Sequence, residues 1–171
     1  IWIFGDSYIS LYPERWVYHL LQDGFDDAVL LNGYAGEPSN EAFIALSNLI
    51  KLRKPQYILW ALGMNDGDSS TAVNSSWKKY YDRVVSLCSK ENITPVFGTI
   101  PNVPTVNNSF KNEIIRSSGY RYIDFSKAVD PDEDGAWIGN TLSSDGVHPT
   151  ADGARVLYMR ALADFPELTS Y

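Results

Sequence analysis

The side chains best suited to covalent chemistry are one serine, one aspartate and one histidine that lie far apart in the chain. Ser7 follows a short apolar run, whereas Asp145 and His148 stand three positions apart in a polar stretch. A serine hydroxyl is a weak nucleophile until a base takes its proton. An imidazole can be that base, and a nearby carboxylate can hold its tautomer. These residue types therefore predict acyl transfer through a serine nucleophile.

Short apolar segments that alternate with amphipathic ones predict how these residues are positioned. We predict five strands, at Ile1–Phe4, Ala28–Leu31, Tyr57–Leu62, Thr94–Ile100 and Tyr120–Phe125. Strands that alternate with helices imply a parallel sheet covered on both faces, an α/β protein with three α/β/α layers. If the strand order is 2-1-3-4-5, the first and third strands are neighbours at the point where the order reverses, and ligands bind there. Ser7 and Asn65 then lie side by side.

Apolar periodicity and capping residues predict the helices between these strands. They are marked by Pro13 in a first turn, by Ser39 and Thr150 as N-caps, by a buried stripe of Trp77, Tyr81, Val84 and Cys88, and by Phe110, Ile114 and Ile115.

Length and charge exclude several other classes of protein. The chain has 171 residues and a net charge of −7, which predicts one globular domain over residues 1–171 and argues against nucleic acid as a partner. No apolar run reaches the roughly 18–20 residues that span a bilayer.

The single cysteine, Cys88, leaves a secreted and a cytoplasmic location equally open. Because the chain begins at Ile1 without Met, we expect further residues upstream. The oligomeric state is not predicted.

Four short motifs carry a resemblance to a known family. They are Gly5-Asp6-Ser7, then Gly36, then Gly63-x-Asn65-Asp66, and finally Asp145-x-x-His148-Pro149. In this order they resemble the four motif blocks of the SGNH hydrolases, also called GDSL-type esterases, and they span nearly the whole chain. Two positions depart from the pattern or leave it ambiguous. Tyr8 replaces the name-giving Leu, and Gly33 is a second glycine near Gly36.

The resemblance implies a flavodoxin-like fold and a role for each matching residue. It implies Ser7 as nucleophile, His148 as base and Asp145 as the residue that orients the base. It also implies an oxyanion hole formed by the backbone N–H groups of Ser7 and Gly36 and by the side-chain amide of Asn65. No cofactor and no metal ion are implied, and no substrate-binding residue is identified.

The function we expect is hydrolysis of short-chain carboxylic esters, specifically O-acetyl groups on carbohydrate. Family analogy supports this, and an aromatic content of 13% offers platforms for sugar rings. One alternative is a lysophospholipase or thioesterase that acts on longer acyl chains. Another is a non-catalytic carbohydrate- or lipid-binding module with the same fold. In both enzymatic hypotheses, the expected binding partner of the protein is a small-molecule or carbohydrate ester substrate.

Other polar residues near these motifs have simpler interpretations. We expect Asp6 and Asp66 to brace the loops around the nucleophile, because Asp favours turns. His19 lies beside the apolar face of a helix, which predicts a structural or surface role. Cys88 continues a core stripe, which predicts an inert buried thiol.

An acidic segment imitates the start of a calcium loop without completing it. Asp130, Asp132 and Asp134 alternate before Gly135, but position twelve is Thr141, which cannot chelate as Glu does. We therefore interpret the segment as an acidic surface loop. Trp137 either lines a substrate cleft or attaches this loop to the core.

Overall fold

The computed structural model describes residues 1–9, 15–24, 30–67 and 71–170, with residues 71–75 described by their backbone alone. Five parallel strands form one sheet in the order β2-β1-β3-β4-β5, as predicted. Their bounds are Trp2–Gly5 (β1), Leu30–Gly33 (β2), Tyr57–Ala61 (β3), Thr94–Gly98 (β4) and Arg121–Ile123 (β5).

Helices cover both faces of the sheet. Their bounds are Trp16–Gln22 (α1), Ser39–Leu49 (α2), Thr71–Glu91 (α3), Ser109–Ser117 (α4), Phe125–Val129 (α5) and Ala151–Asp164 (α6). Helices α1, α5 and α6 pack together on one face, and α2, α3 and α4 pack on the other. The three-layer α/β/α architecture is therefore confirmed.

Aromatic residues in register across the sheet form the core beneath α3. Phe4, Trp60 and Phe97 are neighbours in the strand register and point to one face. The ring of Phe97 lies 4.4 Å from the ring of Tyr81 on α3. All four residues of the predicted α3 stripe are buried. This packing holds β1 and β3 in register, so the two strands end side by side and the loops that follow them lie next to each other.

Several predicted boundaries were wrong for local reasons. Strand β5 ends at Ile123 instead of Phe125, because Asp124 caps the unpredicted helix α5 by accepting a hydrogen bond from the Lys127 N–H. Ser39 is the first residue of α2 and not its cap, because its hydroxyl donates to Asp66 instead.

Other boundaries were shifted or confirmed. The second strand lies two residues later than predicted, and Pro13 and Ala28 lie outside the described residues. Thr150 caps α6 as predicted, since its hydroxyl accepts the Gly153 N–H. None of the helices in the described part of the chain is long and apolar enough to cross a membrane.

Candidate active site

Ser7 lies directly beyond the carboxyl end of β1, at the start of a 3-10 turn over Ser7–Ile9. The turn is held by Asp6, whose carboxylate accepts the backbone N–H of Tyr8 at 3.0 Å. Asp6 also accepts the N–H of Met64, on the loop after β3. Burial raises the pKa of Asp6 to about 6, although these hydrogen bonds oppose the shift. Asp6 thus braces the loops as predicted and ties the serine to the neighbouring strand end.

Asp145 and His148 lie in a loop that we name the acid–base loop, residues 143–148. Asp145 Oδ1 accepts hydrogen bonds from the Ser143 hydroxyl at 2.6 Å and from the N–H groups of Val147 and His148, each at 2.9 Å. The bond from Ser143, followed by that from the His148 N–H, lowers the pKa of Asp145 well below its usual range. The carboxylate therefore stays ionised and in place over the whole neutral range.

The structure brings Ser7, His148 and Asp145 into one chain of hydrogen bonds. His148 Nδ1 lies 2.7 Å from Asp145 Oδ2, and His148 Nε2 lies 2.8 Å from Ser7 Oγ. In the tautomer protonated at Nδ1, the ring donates to Asp145 and accepts from the serine hydroxyl. This is the geometry needed for a carboxylate to orient a base and for that base to take a proton from a nucleophile.

Asn65 lies on a 3-10 turn after β3, the Met64–Asp66 turn. Strands β1 and β3 are paired up to Gly5 and Ala61, so this turn is next to the Ser7 turn, as predicted. The Asn65 amide nitrogen donates to the carbonyl of Glu37 at 3.1 Å. An amide carries two N–H donors, so this contact leaves the second one for a ligand.

Gly36 lies in the loop that follows β2, next to the Glu37 carbonyl that Asn65 contacts. The Tyr34 N–H donates to the Gly5 carbonyl at 2.8 Å, which attaches the start of this loop to the end of β1. Gly36 itself is exposed. The predicted oxyanion residues thus lie on three adjacent loops, and their catalytic roles stay predictions.

The Met64–Asp66 turn is also anchored to the start of α2. The Asp66 carboxylate accepts the Ser39 hydroxyl at 2.6 Å and the Ser39 N–H at 3.1 Å. Burial raises the pKa of Asp66, and the bonds from Ser39 oppose that shift. Asp66 is thus a loop brace, as expected from the sequence.

Two residues expected to be inert have environments that fit this expectation. His19 stacks on Tyr158 with ring centroids 5.7 Å apart, at the interface of α1 and α6. Cys88 is fully buried, and burial raises the pKa of its thiol to about 12. A thiol of this kind is a poor nucleophile at neutral pH.

The acidic loop differs from the prediction at its first residue. Asp130 is buried, and its carboxylate accepts the backbone N–H groups of Asp134 and Gly135, because the loop folds around it. Within the described ranges, no three His, Cys, Asp or Glu side chains form a group that could hold a metal ion. Trp137 is also buried, and its indole N–H donates to the Asn102 carbonyl at 2.7 Å. Trp137 therefore attaches this loop to the core.

Sequence reasoning missed two residues that contact the site. The Tyr8 hydroxyl donates to the carbonyl of Val147, directly before His148. The Arg15 guanidinium donates to the carbonyl of Ser7. The only sequence signal for Tyr8 is that it replaces the family's usual Leu, and nothing in the sequence indicates the contact of Arg15.

Comparison with known proteins supports the fold and identifies the family. A family model described as GDSL-like lipase/acylhydrolase matches residues 1–161. No curated protein matches the chain in a direct search.

Similar solved structures cover nearly the whole chain at low identity. One is a lipolytic protein of the G-D-S-L family from Desulfitobacterium hafniense DCB-2, with a TM-score of 0.76, 16% identity, and coverage of 96% of this chain and 98% of the other. The acetyl xylan esterase AlAXEase has a TM-score of 0.75 and 16% identity, and the match covers 96% of this chain and 100% of the other. A single-residue variant of Axe2, an acetyl-xylooligosaccharide esterase from Geobacillus, has a TM-score of 0.71 and 15% identity, and the match covers 95% of this chain and 92% of the other. At these identities the structures show a shared fold.

Proposed function

The chain belongs to the GDSL-like lipase/acylhydrolase family, and from that premise we propose that it is a serine esterase that removes short acyl groups, acetyl above all, from carbohydrate. The observation that carries the proposal is the continuous contact from Asp145 through His148 to Ser7, with 2.7 Å and 2.8 Å between the paired atoms. An arrangement of this kind activates a hydroxyl that is otherwise unreactive.

In the proposed mechanism, Ser7 Oγ attacks the ester carbonyl while His148 Nε2 takes the hydroxyl proton. The N–H groups of Ser7 and Gly36 and the Asn65 amide donate to the oxyanion that forms. His148 then protonates the leaving alcohol, and an acyl group remains on Ser7. A water molecule, deprotonated by His148, attacks the acyl carbonyl and releases the carboxylic acid. Asp145 holds the imidazole throughout and stabilises its protonated form.

The preference for short acyl groups is supported by the composition of the loops beside the site. A long acyl chain gains about 0.8 kcal/mol per methylene only where an apolar tunnel receives it. The described loops on this side, residues 101–108 and 130–149, are rich in Asn, Asp, Ser and Gly.

The preference for carbohydrate is supported by analogy with similar structures. Two of them are described as an acetyl xylan esterase and an acetyl-xylooligosaccharide esterase. Polar loops beside the site suit a hydroxylated substrate better than a lipid.

The proposal is tested by comparing Ser7→Ala with the wild type on p-nitrophenyl acetate, butyrate and octanoate and on acetylated xylan. Turnover of acetate should fall by at least about 10⁴-fold in the variant, because the nucleophile is lost. The exposed Ser89→Ala on α3 is the matched control and should keep full activity. Wild-type kcat/KM should fall from acetate to octanoate.

Each alternative function gives a different result in the same assays. A kcat/KM that rises steadily to octanoate would favour a lysophospholipase or thioesterase. A non-catalytic binding module would hydrolyse none of the esters and would not be labelled at Ser7 by a fluorophosphonate probe. Near-wild-type turnover by Ser7→Ala would exclude the serine mechanism altogether.

A further inference from the structure

Helix α4 buries a lysine, although the apolar residues that mark this helix in the sequence are Phe110, Ile114 and Ile115. Lys111 has an exposed fraction of 0%, whereas its neighbour Phe110 is 46% exposed. Removing an ammonium group from water costs several kcal/mol unless hydrogen bonds compensate for the lost hydration. A helix that placed Phe110 inward would avoid that cost, so the burial of Lys111 calls for an explanation in its contacts.

The Lys111 ammonium contacts both ends of the Met64–Asp66 turn. It donates to the carbonyl of Gly63 at 2.7 Å, to the carbonyl of Gly67, and to Asn108 Oδ1 at 2.8 Å. An ammonium offers three donors, and the described part of the chain supplies these acceptors for them. The two glycines flank the turn, one directly before it and one directly after it. One side chain on α4 therefore clamps a turn that is more than forty residues away in sequence.

The turn needs such a clamp because its two ends have unusual backbone conformations. Gly63 has a φ of 150° and Gly67 a φ of 80°, and only glycine adopts such values readily. Glycine also has the largest conformational freedom in the unfolded chain, so two glycines make the turn costly to order. Hydrogen bonds from one buried cation to both carbonyls offset that cost.

Asn65 is the central residue of the turn that Lys111 contacts at both ends. Its amide points to the loop after β2, and its neighbour Asp66 is anchored on Ser39. Lys111 holds the remaining side of the turn through its backbone. Lys111 also lowers the pKa of Asp66 through its charge, against the larger effect of burial. The two charged groups thus stabilise each other across the turn.

We propose that Lys111 is a positioning residue that holds the Asn65 amide where the oxyanion develops; this inference rests on the proposed function. Hydrogen bonds to an oxyanion strengthen as charge accumulates in the transition state, so they demand more accurate placement than substrate binding does. Displacing such a donor by about 1 Å can cost on the order of a hundredfold in rate. Loss of the clamp should therefore lower kcat and leave KM nearly unchanged.

A double-mutant cycle between Lys111→Met and Asn65→Ala tests the proposal. Methionine keeps the length of the side chain and removes the donors. The rate of p-nitrophenyl acetate hydrolysis is measured per active site, with sites titrated by a fluorophosphonate probe so that unfolded protein does not count. The control is Lys90→Met on α3, whose side chain is 79% exposed.

The expected result is a loss in kcat of about ten- to a hundredfold for Lys111→Met, with KM changed less than about threefold. In the Asn65→Ala background the same substitution should lower kcat by less than about threefold, since its effect passes through Asn65. Lys90→Met should match the wild type. A wild-type kcat for Lys111→Met, an equal loss in both backgrounds, or a change mainly in KM would overturn the proposal.

A second variant keeps the test decisive if Lys111→Met does not fold. Asn108→Ala removes one of the acceptors named above and leaves the ammonium in place; it also removes the contacts of the Asn108 amide with the Pro101 carbonyl and with Met64 in the same turn. It should show the same dependence on Asn65 with a smaller loss, about two- to fivefold; additivity with Asn65→Ala would overturn the proposal. If the wild type hydrolyses the ester, Ser7→Ala does not, and Lys111→Met is fully active, then the role of Lys111 fails and the proposed function stands.

Discussion

The two sides of the candidate site are held in place by different kinds of contact. In the acid–base loop, the Asp145 carboxylate is anchored by residues no more than three positions away, and its side chain is 52% exposed. The Met64–Asp66 turn is buried at Met64 and Asp66 and is anchored by Ser39 and Lys111, which are 27 and 44 residues away from their partners.

This difference predicts how each side responds to substitution. A local loop can lose its chemistry and leave the rest of the fold intact, because few distant residues depend on it. A turn held by distant residues transmits any change to its anchors, so activity and stability should change together there. Substitutions on the two sides therefore test the comparison directly.

The largest effect is expected for Asp145→Asn on the local side. An asparagine can still accept the bonds from Ser143 and the loop backbone, but it no longer selects the tautomer that leaves His148 Nε2 free to act as base. We expect kcat to fall by about 10⁴-fold, as in other triads of this type, with little change in the melting temperature.

The matched control is Asp82→Asn on α3, since its side chain is 56% exposed and carries the same charge. It should keep full activity on p-nitrophenyl acetate. Retention of more than a tenth of the wild-type kcat by Asp145→Asn would mean that Asp145 does not orient the base.

Asn65→Ala is the corresponding change on the other side. Removing one oxyanion donor should lower kcat by on the order of 10²–10³-fold with a smaller change in KM. Because the Asn65 amide also contacts Glu37, the variant should lose stability as well, which Asp145→Asn should not.

Asn48→Ala on the exposed surface of α2 is the control for Asn65→Ala. Steady-state kinetics and thermal melts on the same preparations separate the two effects. A rise in KM at constant kcat would instead identify Asn65 as a substrate-binding residue.

The same contrast explains how much of the site the sequence predicts. The spacing of Asp145 and His148 is enough to predict their contact, because the same loop supplies the named partners of the Asp145 carboxylate. The strand order brings Ser7 next to Asn65 once alternating strands and helices are recognised. No periodicity in the sequence predicts that Lys111 is buried, because Lys111 is held inside by the carbonyls of Gly63 and Gly67, which lie on another loop. Helix α5 was missed because its cap, Asp124, follows β5 without an intervening turn.

The third prediction concerns Asp6, which joins the Ser7 turn to Met64. Raising the pKa of a buried carboxyl from 3.8 to about 6 corresponds to about 3 kcal/mol of lost stability once the group is ionised. Between pH 4 and 6 the folded protein keeps a proton that the unfolded chain has lost, so this contribution to stability falls as pH rises.

Asp6→Asn removes that contribution. Its free energy of unfolding, measured with urea relative to the wild type, should therefore increase from pH 4 to pH 7 by about 2–3 kcal/mol. All other titrating groups are shared by the two proteins and largely cancel in the difference. A difference that is constant with pH would show that the pKa of Asp6 is the same in the folded and unfolded states, and a difference that decreases would show that Asp6 is stabilised as an anion; either result would contradict the prediction.

The smallest effect is expected for Tyr8→Phe, which removes the hydrogen bond between the Ser7–Ile9 turn and the acid–base loop. The Tyr8 hydroxyl donates to the Val147 carbonyl in the acid–base loop, and burial raises the pKa of Tyr8, so it remains a donor at every assay pH. One neutral hydrogen bond contributes about 0.5–1.5 kcal/mol, so kcat should fall by about three- to tenfold.

Tyr158→Phe distinguishes this positioning effect from a general loss of stability. Both tyrosines are nearly buried, at 8% and 6% exposed, and the Tyr158 hydroxyl also makes a short bond, 2.5 Å long, to Asp23. That bond joins α6 to the residue after α1 and has no part in the site. If the two variants lose a comparable amount in melting temperature but only Tyr8→Phe has a lower kcat, the geometry of the acid–base loop depends on its one contact with Tyr8. Equal kcat in the two variants would mean that the acid–base loop keeps its geometry without help from the nucleophile side.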